Sequence, residues 1–192
     1  AGAWADREGA LWIALNGAGL ARMPGYSEWN SFSQPDGLTG DVVNGLAQSA
    51  DGRIWVATSA GLSAGTKIGR DWNWRTVKVP GMDVISNLSQ AWDGSLLVTG
   101  NSPVVMRLDP STGQWTGYGR VVGAAYSALL DRKGRVWVST DRGLFRSNGQ
   151  SLVLARLDDQ IPPAKPPIKN EKPPGVTFIG AALGNGEDDL WI

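Results

Sequence analysis

Apolar residues in this chain fall in short runs, each closed by Gly, Asp, Asn or Ser. Leu11-Trp12-Ile13-Ala14-Leu15, Ile54-Trp55-Val56-Ala57, Leu96-Leu97-Val98 and Val136-Trp137-Val138 are the clearest. Runs this short, rich in β-branched and aromatic residues and bounded by turn formers, predict β-strands. An amphipathic helix would space its apolar residues by three and four over a longer window.

The runs sit inside a repeated phrase: an acidic residue and Gly, an apolar strand often centred on Trp, then Gly-Leu. It reads Asp6-Arg7-Glu8-Gly9-Ala10-Leu11-Trp12-Ile13 with Gly19-Leu20, then Asp51-Gly52-Arg53-Ile54-Trp55-Val56-Ala57-Thr58 with Gly61-Leu62. It returns as Asp131-Arg132-Lys133-Gly134-Arg135-Val136-Trp137-Val138-Ser139-Thr140 with Gly143-Leu144, and a worn copy runs Asp93-Gly94-Ser95-Leu96-Leu97-Val98-Thr99-Gly100. The anchors Trp12, Trp55, Leu97 and Trp137 are spaced by 43, 42 and 40 residues, and Trp191 follows after 54. A strand-rich period of about 40–45 residues is one four-stranded propeller blade. The expected fold is therefore all-β: a β-propeller of antiparallel blades over residues 1–192, about four of them present.

Within the second unit, strands are expected at Val42–Gln48, Ile54–Thr58, from Leu62, and at Trp74–Val79. The third unit gives Val84–Gln90, Leu96–Thr99, Val104–Leu108 and Gln114–Tyr118. The fourth gives Ala124–Leu130, Arg135–Thr140, Leu144–Ser147 and Ser151–Leu157, before a new innermost strand at Val176–Ala182. Asp51-Gly52 reads as a tight two-residue hairpin turn, since Gly accepts positive φ. The anchor rings of Trp12, Trp55, Trp137 and Trp191 are expected between neighbouring blades, each N–H on a backbone carbonyl. The irregular Trp29, Trp72, Trp74, Trp92 and Trp115 suit blade packing too, with sugar stacking as the competing role. The chain starts within one unit and stops inside another, at Leu190-Trp191-Ile192, a register that predicts a piece of a larger, about seven-bladed ring.

Composition narrows the function. Lys plus Arg and Asp plus Glu are 18 each, a net charge of zero, which argues against a strong electrostatic grip on nucleic acid or acidic membrane. No apolar run approaches the 18 residues of a membrane span. With no Cys there is no disulfide and no thiolate chemistry, which fits an oxidising compartment. With no His the usual general base, transition-metal ligand and neutral-pH switch are all missing. No catalytic constellation, cofactor site or metal site is expected.

Asp6, Asp51, Asp93 and Asp131 recur with the phrase and read as turn formers whose carboxylates accept backbone N–H bonds, rather than as a catalytic pair. Glu187-Asp188-Asp189 occupies the same turn of the last unit and lacks the alternating pattern of a calcium loop. Asp51, Gly52, Gly61 and Gly143 are structural members of the repeat. The segment 158–175 carries six prolines and three lysines, and is expected as an extended inter-blade loop over one mouth of the central channel. The turns after each anchor strand vary while their frame is fixed, which is how a rigid scaffold builds a binding surface. The candidate ligand-binding residues are accordingly Asn16, Ser59, Asn101, Ser102, Asp141 and Arg142.

Gly37-Leu38-Thr39-Gly40-Asp41-Val42-Val43-Asn44-Gly45-Leu46-Ala47-Gln48, with Asp51–Thr58 and Gly61-Leu62, resembles the two-component-regulator propeller repeat. Asp131 to Gly143 is a second close match and Asp6 to Leu20 a looser one; the third unit departs, with Leu97 for Trp and Ser102-Pro103-Val104 for Gly-Leu. The resemblance implies a ligand-sensing propeller on the periplasmic or extracellular side of a bacterial inner-membrane receptor. Such propellers are tied to histidine kinase or diguanylate cyclase domains, often sense a saccharide, and signal through dimer geometry. The implied partners are therefore an oligosaccharide or other small ligand, further blades and signalling domains of the same polypeptide, and a second copy in a homodimer. A non-enzymatic protein-interaction scaffold is the second reading. A lyase-type propeller enzyme is the third, and it suffers most from the lack of His.

Overall fold

The computed structural model describes residues 2–25, 28–149 and 151–154, together with the backbone of 182–183 and 190–191. Four antiparallel four-stranded sheets follow one another along the chain. Blade 1 holds β1 (Ala3–Ala5), β2 (Leu11–Leu15), β3 (Gly19–Gly25) and β4 (Glu28–Phe32). Blade 2 holds β5 (Val43–Gln48), β6 (Ile54–Thr58), β7 (Gly61–Ile68) and β8 (Asp71–Val77). Blade 3 holds β9 (Ile85–Gln90), β10 (Leu96–Gly100), β11 (Val104–Leu108) and β12 (Trp115–Arg120). Blade 4 holds β13 (Ala125–Leu130), β14 (Val136–Thr140), β15 (Gly143–Asn148) and β16 (Ser151–Leu154). A further pair, β17 (Ala182–Leu183) and β18 (Leu190–Trp191), is antiparallel as well. Among the described residues the helical content is one 3₁₀ turn, Gln34–Asp36. The Pro-rich segment 158–175, the acidic turn 187–189 and the side chain of Trp191 lie outside the described residues.

Among the described residues the expected strands agree with these to within a few residues at their ends; positions 155–157 of the Ser151–Leu157 strand and 176–181 of the Val176–Ala182 strand lie outside them. The largest difference is β8, which begins at Asp71, so Trp72 and Trp74 lie on the same face of one strand.

β6 and β10, each packed between two neighbouring blades, are buried on both faces, whereas β2 of blade 1 alternates between buried and half-buried residues. All five residues of β6 are buried. Its alternation splits them: Ile54 and Val56 join Trp12, Leu20 and Phe32 of blade 1 in one core, with Trp74 closing it. Trp55 and Ala57 join Ile85, Leu88, Leu96 and Val98 of blade 3 in the next. Leu97, Val105 and Tyr118 of blade 3 then pack with Ala128, Val136, Val138 and Phe145 of blade 4. Leu97 therefore occupies the packing position that Trp fills in the neighbouring blades.

The loop leading into each second strand is three residues long rather than two. Ser49 N–H donates to Arg53 O at 3.0 Å and Gly52 N–H to Ser49 O at 2.9 Å, enclosing Ala50-Asp51-Gly52. The same pair of bonds recurs from Asp6, Ala91 and Asp131. Gly52 has φ 84°, the left-handed geometry of a type I turn closed by a glycine bulge. The equivalent positions are thus Asp6, Ser49, Ala91 and Asp131, and Asp51 and Asp93 stand two residues further into the loop. There Asp51 accepts from Arg53 N–H at 3.3 Å and Asp93 from Ser95 N–H at 3.0 Å.

The anchor indoles find side chains, not backbone carbonyls. Trp12 Nε1 donates to Asp6 Oδ2 at 2.8 Å, Trp55 Nε1 to Ser49 Oγ at 2.9 Å and Trp137 Nε1 to Asp131 Oδ2 at 2.9 Å. In blade 3 the anchor is Leu97, and the matching position is Ala91. The acceptor is present where an indole needs it and missing where none does.

Between blades 1 and 2 the packing turns aromatic. Trp12 lies edge-on to Trp72 at 5.1 Å, and Trp72 stacks on Trp74 at 5.8 Å. The Arg22 guanidinium sits between Trp12 and Trp72, 5.4 and 5.5 Å from the two rings, and is buried. Its charge is met by Asp6 at 3.8 Å and Glu8 at 3.6 Å. Trp72 and Trp74 therefore serve blade packing, whereas Trp29 and Trp92 are more than half exposed. Trp92 Nε1 still donates to Asp131 O at 2.9 Å, joining blade 3 to blade 4.

Candidate binding face

In an antiparallel four-stranded sheet, the turn between the second and third strands and the exit from the fourth strand fall at the same end. That end of each blade carries the sequence-derived candidates. Asn16 tips the β2–β3 turn, Ser59 the β6–β7 turn, Asn101 and Ser102 the β10–β11 turn, and Asp141 and Arg142 the β14–β15 turn. All are exposed except Ser102, which is half-buried. The topology thus gathers them on one face, one tip per blade.

Two of these side chains fix the chain that runs into the innermost strand. Asn101 Oδ1 accepts the N–H groups of Asp83 and Val84, each at 3.3 Å. Asp141 Oδ1 accepts the N–H of Ala124 at 2.8 Å, and Arg142 lies 3.8 Å from the same carboxylate. Thr58 and Thr140 hold the tips themselves: their hydroxyls accept the N–H of Ala60 and Arg142 at 3.1 and 3.0 Å. Blade 2 adds a buried hydroxyl cluster, with Thr39 Oγ1 at 2.9 Å from Thr58 Oγ1 and 3.0 Å from Ser63 Oγ. The face is therefore a set of short, hydrogen-bonded turns on a rigid frame.

The sequence reading missed a second feature of this face. The pairing of β5 with β6 shifts between Val43 and Gly45, leaving Asn44 as the extra residue of a β-bulge. The same shift makes Ser86 the extra residue of β9 and Tyr126 that of β13. All three are exposed. A signal existed: Val43 and Leu46, Ile85 and Leu88, and Ala125 and Ala128 are spaced by three, where a regular strand spaces same-face residues by two or four.

A cavity of about 290 Å3 opens between β1 and β5, lined by Trp4, Ala14, Val43, Asn44, Gly45 and Leu46. On the rim, Val42, Val84 and Val122 are exposed apolar residues, and Asp41 is tied by the N–H of Gln34 at 2.8 Å. Among the described residues no cluster of His, Cys, Asp or Glu could hold a metal ion. Among the same residues no helix is long and apolar enough to cross a membrane. The arrangement offers amide, hydroxyl and aromatic groups on a fixed scaffold, which is chemistry for recognition.

The comparisons with known proteins agree with this architecture. Residues 37–60, which run from the approach to β5 to the β6–β7 tip of blade 2, match the family described as two component regulator propeller. Among curated proteins none matches the chain. Among solved structures, the extracellular domain of the putative hybrid two component system BT3049 from B. thetaiotaomicron is similar at 16% identity and TM-score 0.63, over 76% of this chain and 21% of that one. The extracellular domain of the putative one component system BT4673 from the same organism gives 19% identity and TM-score 0.66, over 81% and 23%. Virginiamycin B lyase from Staphylococcus aureus gives 16% identity and TM-score 0.67, over 98% and 61%. At such identities the likeness speaks for the β-propeller fold. The chain spans about a fifth of the length of the two extracellular domains.

Proposed function

We propose that this chain is a ligand-sensing propeller, the extracytoplasmic sensor part of a two-component or diguanylate cyclase receptor, with a saccharide as ligand. The observation that carries the reading is the two component regulator propeller match at residues 37–60, which spans Gly37 to the Ser59-Ala60 tip. That match covers the approach to an innermost strand, its bulge and a tip of the candidate face. The likeness to extracellular domains of two signalling proteins supports the same reading.

The enzyme reading rests on the lyase likeness and is the weaker one. A histidine-to-alanine variant of virginiamycin B lyase is catalytically inactive, and this chain has no His. The protein-interaction reading draws on the exposed Trp29, Trp92 and Val122, apolar surface that could meet another protein. A thermal-shift screen with oligosaccharides separates sensor from scaffold. A ligand at 100 times its Kd adds about 2.7 kcal/mol to the native state. A raised midpoint with a saccharide supports the sensor; no shift with any of them removes it.

A further inference from the structure

We infer that the three bulge residues Asn44, Ser86 and Tyr126 form the floor of the ligand site, and that they take a neutral oligosaccharide. The inference rests on the sensor reading and adds its residues and ligand class.

The bulges are a rule of the repeat and not an accident of one blade. The register shifts fall at equivalent positions of β5, β9 and β13. A bulge gives up ladder hydrogen bonding and re-aims a side chain, and such features gather beside binding sites. The flanking positions are conservative: Ile85, Leu88, Ala125 and Ala128 are buried, and Val43 and Leu46 half-buried. The bulge residue itself is an amide, a hydroxyl and a phenol in turn. A constant frame carrying a varied exposed group is the pattern expected of ligand contacts.

The floor is held rigidly. Asn44 Nδ2 donates to Ile85 O at 2.7 Å, next to Ser86, which fixes the amide plane and leaves Oδ1 as an acceptor. Thr99 Oγ1 donates to Tyr126 O at 3.4 Å, tying the third bulge to blade 3. Gly45 lets blades 2 and 3 close up behind the first bulge, since a Cβ there would stand 2.9 Å from Leu88 N. Fixed polar groups lose little freedom on binding.

The chemistry points to a neutral polyol. None of the three side chains is charged, and the nearby Asp41 and Asp141 carboxylates hold backbone N–H groups. Asp83 adds an exposed negative charge to the same rim, which disfavours uronic acids. Sugar hydroxyls fit Asn44 and Ser86, and the apolar face of a pyranose fits an aromatic ring such as Tyr126. The cavity beside Asn44, about 290 Å3 with Trp4 on its wall, gives room for a further sugar ring.

The test is calorimetric titration of the protein with cellotriose, laminaritriose, maltotriose and digalacturonate, repeated on Asn44→Ala, Ser86→Ala, Tyr126→Ala and Tyr126→Phe. The expected result is binding of one neutral trisaccharide, weakened at least tenfold by Asn44→Ala and by Tyr126→Ala. Ser86→Ala alters only an exposed group, so its melting midpoint should match the parent and any weakening reports contact, while Tyr126→Phe keeps the ring and should bind close to the parent. Binding that survives all the variants but is lost in Arg142→Ala removes the bulge site and leaves the sensor reading. Binding of digalacturonate in preference to the neutral sugars overturns the ligand class. No binding by any of the four overturns the inference, and the wider oligosaccharide thermal-shift screen then decides separately whether the sensor reading falls with it.

Discussion

The Trp55 indole N–H ends on the hydroxyl of Ser49, 2.9 Å away and six residues earlier, across the loop that leads into β6. Trp55 is 2% exposed and packs against blade 3, so ring and hydrogen bond act at one inter-blade seam. Trp55→Ala should cost roughly 3–5 kcal/mol through the cavity it leaves. Ser49→Ala strands a buried N–H and should cost about 1–3 kcal/mol. Blade 3 shows the compatible alternative, Ala91 with Leu97. In a Trp55→Leu background Ser49→Ala should therefore cost clearly less than in the parent, a coupling that urea unfolding of the four proteins in the double-mutant cycle measures.

Asp131 sits at the equivalent position of blade 4. Burial pushes its carboxyl upward, but the bonds from Trp137 and from the Arg135 backbone and side chain, with the Arg135 charge, outweigh it. The net pKa is below the ordinary value of 3.8. The unfolded chain then takes up the proton first on acidification. The stabilisation is complete above the unfolded value and is lost as pH falls through the lower folded value. Asp131→Asn should flatten that acid limb, read as urea midpoints compared at neutral pH and from about pH 4 downward.

Two glycines separate conformational from steric need. Gly52 has φ 84° and open space around a built Cβ, so Gly52→Ala should cost about 1–2 kcal/mol for the left-handed conformation alone. Gly100 faces the bulge in β9, where a Cβ would stand 1.9 Å from Val84 O. Gly100→Ala must push the strands apart and should cost about 3 kcal/mol, the upper end for overpacking. Equal losses in the two denaturation curves would contradict this account of the tip face.

The blades were legible because their signals are local. Apolar alternation and the loop glycines sit inside one unit, and the 43-, 42- and 40-residue anchor spacings link each unit to the next. Loop register was less legible, since the shared Asp-Gly look of Asp51-Gly52 and Asp93-Gly94 hides that Ser49 and Ala91 align with Asp6. The indole acceptor is a contact at a separation of six, which strand alternation does not reveal. The tips at Asn16, Ser59, Asn101 and Asp141 followed from topology, but the structural bonds of Asn101 and Asp141 did not. The bulges at Asn44, Ser86 and Tyr126 left only a spacing of three between apolar neighbours, easily read as an irregular strand.

Ligand binding should be nearly flat between about pH 6 and 8. The chain has no His, the side chain that ordinarily titrates in that range. Calorimetric Kd values for the bound oligosaccharide across this range should agree within about twofold. A steep dependence would require a strongly shifted carboxylate and would reopen the enzyme reading.

The tip residues need a measurement that separates holding a loop from touching a ligand. Asp141 Oδ1 holds Ala124 N–H, and Gly123 makes room for it, since a Cβ there would stand 1.8 Å from that oxygen. Asn101 holds the amides of Asp83 and Val84 in the same way one blade earlier. Asp141→Ala should speed hydrogen exchange at Ala124, and Asn101→Ala should speed it at Asp83 and Val84, each by tenfold or more. Asp141→Asn keeps an oxygen acceptor, so exchange at Ala124 should stay close to the parent. A fall in oligosaccharide affinity in Asp141→Asn with protection retained would then mark the carboxylate as a ligand contact. A fall in Asp141→Ala alone, together with lost protection, would mark it as the brace that keeps Ala124 and the neighbouring Tyr126 bulge in place.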